Sequence, residues 1–498
     1  MSGPRFRDLF AWEWRQVGRS PLLWTVLLIV SASFAWGALN TAALHSAQAA
    51  ALERARQVDT AFHANAAARA RAYRAPVTSS GGPVAYWQDP TDVAGYSEYF
   101  VRMSALKPHL PSSPLAAGVS DLAPSRLEIR LNTPFGFTDT YDFENPRGLA
   151  LGRFDLAFAV VFLLPIGLLL LFALFVTFER DRDMLRLVAA QAVGPRAWTG
   201  ARLAAILAWS VPATVLAMIA ALGIAGVPLG TAAGSLAVAA LLTVVYMLFW
   251  SGVALTILAR QPGAGAALGS FAAIWAALTI GLPLAGSALV GMIDPAPSAV
   301  GYVDAQRRIG DEINAERDKI LAAAVTRRPD LRPYADRATS LDYATRLSFL
   351  VPETERRLAP LRSAFEDHRL RQEGVARIAG FAIPTLGIEA AFATLAGTDP
   401  ARQRTFEAQA RQYQLRLRGI VHPLVQREIT QPPSSPARTT RGRLNLAEPL
   451  TLPKFALADR PAAERIGGVL PFLLWLGLLA LLAITIGLVR TREWKVVE

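Results

Sequence analysis

The sequence predicts an all-α polytopic membrane protein with six transmembrane helices and two mainly helical extracytoplasmic segments. Three observations carry this. The chain holds six apolar runs of membrane-crossing length, separated by polar stretches. Hydrophobic residues make up 52% and charged residues only 18% of 498, high apolarity and low charge for a soluble chain of this size. Arginine marks every short polar piece assigned to one side of the membrane, as positive-inside asymmetry requires.

Residues 1–20 open with PRFRDLFAWEWRQVGRSP, where Phe6, Leu9, Phe10, Trp14 and Val17 recur at helical spacing and Arg7, Asp8, Arg15 and Arg19 lie largely off that face. Such a stripe, with Trp at the water boundary, predicts a helix lying in the cytoplasmic interface. Residues 21–41 are the first span; the apolar run is long for the core of a signal peptide, so it is read as retained. Residues 42–152 form the first extracytoplasmic domain. Its opening, AALHSAQAAALERARQVDTAFHANAAARARAY, reads as one long helix, broken by Ser79-Ser80-Gly81-Gly82-Pro83. Further on, RLEIRLNT alternates so that Leu127, Ile129 and Leu131 share one face of a strand.

The second span, residues 153–178, carries FDLAFAVVFLLPIGLLLLFALFVTF with no charge between Asp155 and Glu179. About 25 helical residues cross a hydrocarbon core of roughly 30 Å. It ends at Glu179-Arg180-Asp181-Arg182-Asp183, a charge cluster that cannot stay in lipid. Residues 179–202 form a compact elbow, broken at Gly194-Pro195 and carrying Arg180, Arg182, Arg186, Arg196 and Arg202. A short Arg-rich connection belongs in the cytoplasm. Residues 203–225, 232–258 and 266–293 are the third, fourth and fifth spans, kinked where Pro212 and Pro283 fall, as Pro165 kinks the second. Gly263, Gly265 and Gly269 resemble a dinucleotide loop only superficially; no strand precedes them, and close helix packing accounts for them.

Residues 294–465 form the second extracytoplasmic domain, with helices predicted over Val303–Thr326, Leu341–Leu350, Glu353–Gly374 and Ala401–Val421. Asp399-Pro400 is a helix start, a capping carboxylate followed by a residue preset for the first turn. The apolar run IAGFAIPTLGIEAAFATLAG is interrupted by Pro384, Gly387 and Glu389 and is read as a buried or membrane-resting helix. Gln431-Pro432-Pro433-Ser434-Ser435-Pro436 is a linker. Residues 466–489 are the last span and 490–498 a cytoplasmic tail, so both termini lie inside.

Several chemistries find no support. With no cysteine, disulfides and thiolate metal sites are excluded. The five histidines, His45, His63, His109, His368 and His422, show no metal spacing. The net charge of +12 comes mostly from arginines spread over loops and helix faces, not from a basic run interleaved with aromatics, so no nucleic acid is expected. Paired acids such as Asp311-Glu312 and Glu366-Asp367 sit in charged helices and read as solvated faces rather than catalytic carboxylates. There is no Gly-x-Ser-x-Gly elbow and no phosphate loop. No span carries an ionisable group near its middle, as ion-driven carriers usually require. Uphill movement would therefore draw its energy from another polypeptide.

The six-span plan, the aromatic N-terminal helix and the elbow FERDRDMLRLVAAQAVGPRAWTGARLAA resemble the membrane subunits of ABC-2-type transporters. PLAAGVSDLAPSRLEI, ENPRGLALGRFDLAF and LAGTDPARQRTFEAQARQY resemble the subfamily with large periplasmic domains after the first and fifth spans, distantly similar to the nitrous-oxide-reductase maturation permease. The resemblance implies a type V ABC exporter-like fold and a bacterial inner-membrane location. It implies a permease subunit that is not itself an enzyme and binds no cofactor, ATP-Mg being held by separate ABC ATPase subunits. It also implies a second permease copy or paralogue, contact with membrane lipid, and room for a periplasmic partner. Carried over by position, Glu179 and Arg180 end the second span and Asp181 to Arg196 supply the ATPase-coupling segment, including Arg182, Asp183, Leu185, Arg186, Pro195 and Arg196. The family commonly has Gly-Thr-Leu after the Glu-Arg pair; this chain has Asp183-Met184-Leu185 at the matching place. The alternative reading is an ABC-driven mechanotransmitter or membrane scaffold that acts on a periplasmic partner and transports nothing.

Overall fold

The computed structural model describes residues 6–74, 85–135, 153–177, 194–432, 443–448 and 450–491. Six of its helices are long and apolar enough to cross a membrane. They lie in α2 (Pro21–Arg74), α3 (Leu156–Thr177), α4 (Pro195–Ile224), α5 (Leu229–Leu258), α6 (Ala264–Ile293) and α12 (Ala462–Arg490). A short helix, α1 (Phe6–Gly18), precedes them. The chain is thus an almost wholly helical membrane protein.

The bundle core is built from leucine, valine, alanine and aromatic side chains of α2, α3, α4, α5 and α12. The closest pair is α5 with α12, and small residues permit it. A Cβ on Gly252 would meet Ala483 Cβ at 2.6 Å and the backbone nitrogen of Ile484 at 2.7 Å; Gly487 likewise lies under Leu255. The Thr256 hydroxyl donates across the same seam to the Ala483 carbonyl at 3.2 Å. Proline kinks are answered by side chains. Pro165 has no N–H for the Val161 carbonyl, and Tyr246 Oη on α5 donates to it at 3.0 Å, while Trp275 Nε1 on α6 donates to the adjacent Phe162 carbonyl at 3.1 Å. In contrast, only Ala267, Phe271 and Thr279 of α6 are fully buried.

At one end of the bundle the chain builds a polar helical domain. Its first helix is no separate element. α2 continues without internal proline for 54 residues, so the predicted first span and the predicted long helix are a single rod of ~80 Å. The predicted strand is β2 (Arg126–Arg130), with Leu127, Ile129 and the following Leu131 buried as the alternation requires. Its antiparallel partner, β1 (Arg102–Leu106), has no alternation strong enough to be read in advance.

The remaining helices are α7 (Ala299–Ala315), α8 (Arg317–Thr326), α9 (Tyr343–Ala382), α10 (Pro384–Ala396) and α11 (Pro400–Gln426). Several boundaries differ from the sequence reading. Val303–Thr326 divides at Glu316. The helices expected on either side of Pro352 run together through that residue and Pro360 as α9, because Gln426 Nε2 donates to the Ser348 carbonyl that Pro352 cannot serve. α11 runs past Val421 through Pro423 to Gln426. The apolar run read as one buried helix divides at Ile383: its first residues end α9 and the rest is α10, whose Ile388, Phe392 and Leu395 join the bundle core. Two further apolar clusters, one around β1, β2 and α11 and one around α7, α8 and α9, make up the domain core.

The α5–α12 seam gives a prediction. Gly252→Ala should lower the thermal midpoint of the detergent-purified protein by an amount equivalent to about 1–3 kcal/mol, despite alanine's better helix propensity. Gly223→Ala, where a Cβ meets nothing within 4 Å, should leave the midpoint unchanged or raise it. Equal responses would show that the seam is not close-packed.

Candidate functional site

Two buried polar clusters sit at opposite ends of the bundle. The first is a clasp where the elbow leaves and returns. Arg202, on the third turn of α4, has no exposed surface, and neither has Glu13 of α1 with which it forms an ion pair. Arg202 also donates to the Phe175 carbonyl in the last turn of α3 at 3.0 Å and to Gln16 Oε1 at 3.4 Å, and lies over the rings of Trp198 and Phe175. One guanidinium therefore ties α1, the exit of α3 and the entry of α4. Aromatic packing extends the clasp. Trp14 stacks on Trp209 at 4.4 Å, Trp209 Nε1 donates to the Trp14 carbonyl at 3.1 Å, and Trp24 meets Trp209 edge-on at 5.4 Å.

Of the residues assigned to ATPase coupling, Glu179, Arg180, Arg182, Asp183, Leu185 and Arg186 lie outside the described residues. Pro195 is the first residue of α4, with Gly194 as its N-cap, and Arg196 is exposed beside it. The stripe assigned to the interfacial helix divides. Leu9, Phe10, Trp14 and Val17 turn to the bundle, whereas Phe6 and the neighbouring Trp12 remain about half exposed. Glu13 has no place in the sequence reading; its signal there is an acid between Phe10 and Val17 on an apolar face, which its burial beside Arg202 explains.

The second cluster is a hub at the domain end, and it gathers the three sequence motifs quoted above. Asp155 caps α3 by accepting the Phe158 N–H at 2.6 Å, and its other oxygen accepts the Ala117 N–H at 2.8 Å. Ala117 precedes Gly118, which takes φ +51° where its backbone abuts Thr398, and the Thr398 hydroxyl donates to the Ala116 carbonyl at 3.0 Å. Ser112 donates to the Leu395 carbonyl at 2.7 Å, and Gln48 of α2 to the Ser120 carbonyl at 2.7 Å. Arg402, just inside α11, forks onto Asp459 at 2.7 and 2.8 Å and donates to the Pro108 and Gly397 carbonyls. Asp399 caps α11 through the Arg402 N–H at 3.0 Å, as its sequence position predicts.

A histidine pair in this hub has no signature in the spacing of the sequence. The rings of His45 of α2 and His109 lie 4.4 Å apart, tilted by 31°. Burial, then His109, Arg153 and Lys107, push His45 down to about 3; burial, then Lys107 and Arg402, push His109 down to about 4. Further out, Arg443 is a second buried knot. It bridges Asp92 at 2.5 Å and Asp342 at 3.1 Å, lies 3.6 Å from Glu428, and sits over Tyr86. Burial pushes Glu428 up to about 7. Among the described residues no group of three or more potential ligands could hold a metal ion.

Residues 299–433 match a family described as Domain of unknown function (DUF3526), a stretch that covers α7 to α11. No curated protein and no solved structure matches the chain.

Two predictions follow from the clusters. Arg202→Met removes the charge that faces Glu13 and should lower stability by about 3–5 kcal/mol, while Glu13→Met combined with Arg202→Met should recover part of that loss. A double variant as unstable as the single one would contradict a clasp based on charge pairing. For the imidazoles, the folded state holds both neutral while the unfolded chain protonates near pH 6.5. Their contribution is therefore complete above that pH and lost as pH falls from about 6.5 towards 4, by up to about 1.4 kcal/mol per pH unit for each ring. His45→Phe should flatten the acid limb of a thermal-stability profile across that window, and an unaltered limb would refute the assignment.

Proposed function

We propose that this chain is the membrane-spanning permease subunit of an ATP-driven ABC transporter, exporter-type, in a bacterial inner membrane. In this reading both termini and the elbow face the cytoplasm, and the polar domain is extracytoplasmic. ATP-Mg is held by separate ABC ATPase subunits docked on the elbow, so this chain is not the enzyme. A second permease copy or a paralogue completes the assembly, as the ABC-2 resemblance implies, within a type V arrangement.

The observation that best supports it is the clasp. The elbow of residues 179–202 joins α3 to α4, and Arg202, its last residue, ties the exit of α3 to the entry of α4 and to α1 besides. A push on the elbow would move three helices as one body rather than bend a loop. The absence of an ionisable group mid-span points to the same external source of energy.

The mechanotransmitter reading has its own support in α2. A single rod that starts beside Trp209 and ends beside Phe100, where Arg69 lies over the ring at 5.4 Å, would carry displacement from the clasp directly into the domain. In that case the hub would be the output, and a periplasmic partner would receive it.

Purification of the native complex, with its ATPase turnover measured, tests the proposal. Glu179→Ala or Arg186→Glu should leave membrane insertion intact and cut turnover or complex yield several-fold. Full ATPase stimulation by both variants would remove the elbow as the docking site. Stimulation of the intact complex by a small compound favours the transporter; stimulation only by a periplasmic protein favours the transmitter.

A further inference from the structure

Between α11 and α12 runs a strap without regular secondary structure, described over residues 443–448 and 450–461. Leu444, Leu450, Leu452, Phe455 and Leu457 pack against the apolar cluster around α11. The end next to α12 is pinned by the Tyr413 hydroxyl to the Pro453 carbonyl at 2.8 Å, by Gln409 to the Ala458 N–H and carbonyl at 2.9 Å each, and by Arg402 to Asp459. The other end is held at residues 443–446. There the Val93 N–H donates to the Leu444 carbonyl at 3.1 Å, the Leu446 N–H to the Thr91 carbonyl at 2.7 Å, and the Leu444 N–H to Glu428 Oε2 at 2.9 Å. Arg443 completes the hold.

This knot has more acids than its one guanidinium can neutralise. Arg443 meets Asp92, Asp342 and Glu428, and none of these side chains is more than 7% exposed. Were all the acids ionised, three negative charges would face one positive charge out of reach of water. The geometry singles out the acid that gives way. Asp92 receives a forked pair from Arg443, at 2.5 and 3.2 Å, and the Gly95 N–H at 2.7 Å. Asp342 receives Arg443 at 3.1 Å, the Thr345 N–H at 3.0 Å and the Thr345 hydroxyl at 2.7 Å, all at the positive end of the α9 dipole. Among the described residues Glu428 has the Leu444 N–H alone, and it stands 3.6 Å from Arg443, beyond hydrogen-bond reach.

The other charged and titratable groups around Glu428 do not change this balance. Arg337, on the neighbouring turn Arg332–Ser340, donates to the Thr430 and Gln431 carbonyls instead, and Arg427 is exposed. Tyr86, over whose ring Arg443 sits at 4.6 Å, stays neutral because burial pushes its hydroxyl up. Burial pushes Asp92 up as well, against the opposing bonds from Arg443, while Glu428, with less to oppose its burial, rises to about 7.

We propose that the Arg443 knot is a proton-operated latch: Glu428 carries a proton while the strap is closed, and its ionisation loosens residues 443–446 from the domain. Once released, Glu428 meets water and returns to the ordinary carboxylate range, so the closed strap binds the proton more tightly than the open one. Closure is therefore favoured in full below about pH 4.5 and progressively less as pH rises to about 7. Above that both states have lost the proton and the balance is constant. Because the strap continues into α12, loosening it changes how firmly the last span is tied to the domain. The Arg402–Asp459 pair lies beyond the loosened residues and keeps the rest of the strap in place. The latch works in the same way whichever side of the membrane the domain faces and whatever drives the chain.

Amide hydrogen exchange on the full-length protein in phosphatidylcholine nanodiscs, from about pH 5 to about pH 8 and corrected for the intrinsic pH dependence of exchange, tests it. Protection of the Val93, Leu444 and Leu446 amides should fall by up to about tenfold per pH unit as far as about pH 7 and then level off. The β1–β2 ladder, bonded within itself, should keep its protection throughout. Glu428→Gln retains an acceptor for the Leu444 N–H without the charge and should hold the three amides at their acid level across the range. Asp342→Asn keeps the cap of α9 but removes a negative charge that faces Glu428, and should shift the fall to lower pH. Constant protection of the strap amides in the native chain, a fall that persists in Glu428→Gln, or a fall that Asp342→Asn leaves in place would overturn the proposal.

Discussion

A guanidinium with no exposed surface needs a carboxylate close by, and Arg202 takes Glu13 from a different helix. That requirement fixes the position of the N-terminal helix more firmly than its apolar stripe could. Leu9, Phe10, Trp14 and Val17 would pack acceptably in several rotations against a leucine-rich surface, but only one puts Glu13 against Arg202. The indole of Trp209 then fills the space between α1, α2 and α4. Removal of the pair would release a helix too short to cross the membrane by itself, and with it the shared anchorage of both flanks of the elbow.

From this clasp the construction reads outward along stiff elements. α2 leaves the clasp beside Trp209, passes the hub at His45 and Gln48, and reaches the domain's far side at Arg69. α3 enters the bundle from the hub through Asp155 and ends in the clasp through the Phe175 carbonyl. Two helices thus connect the same pair of polar clusters, so the ends cannot shift independently without one of the clusters breaking. α9 and α11 continue the chain of rods from the bundle and the hub into the domain. This geometry suits either a permease or a transmitter, since both need the two ends of the bundle to respond together.

The sequence showed a good deal of this because spans and caps are local. Six apolar runs, the Asp399 cap and the Leu127–Ile129–Leu131 face all depend on spacing within a few residues, and all are present. What could not be read depends on partners distant in the chain. Pro352 looked like a helix boundary because the Ser348 carbonyl it leaves open had no visible donor; Gln426, far along the chain, supplies one. His45 and His109 showed no ligand spacing and yet meet ring to ring, because loop and rod come together only in the fold. Glu13 went unassigned because nothing local names Arg202 as its partner. The three motifs quoted for their resemblance were recognisable one by one, whereas their convergence on Asp155, Thr398 and Arg402 is a property of the tertiary structure.

The functional proposal stands on the elbow and the polar domain facing opposite sides of the membrane. Because the natural chain has no cysteine, single replacements can be labelled without background. The most direct measurement is the reaction of Arg186→Cys and Asp311→Cys with a membrane-impermeant maleimide, in right-side-out and inverted vesicles. The account predicts that Asp311→Cys reacts only right-side-out and Arg186→Cys only when inverted. Labelling of Arg186→Cys from the outer side would contradict it.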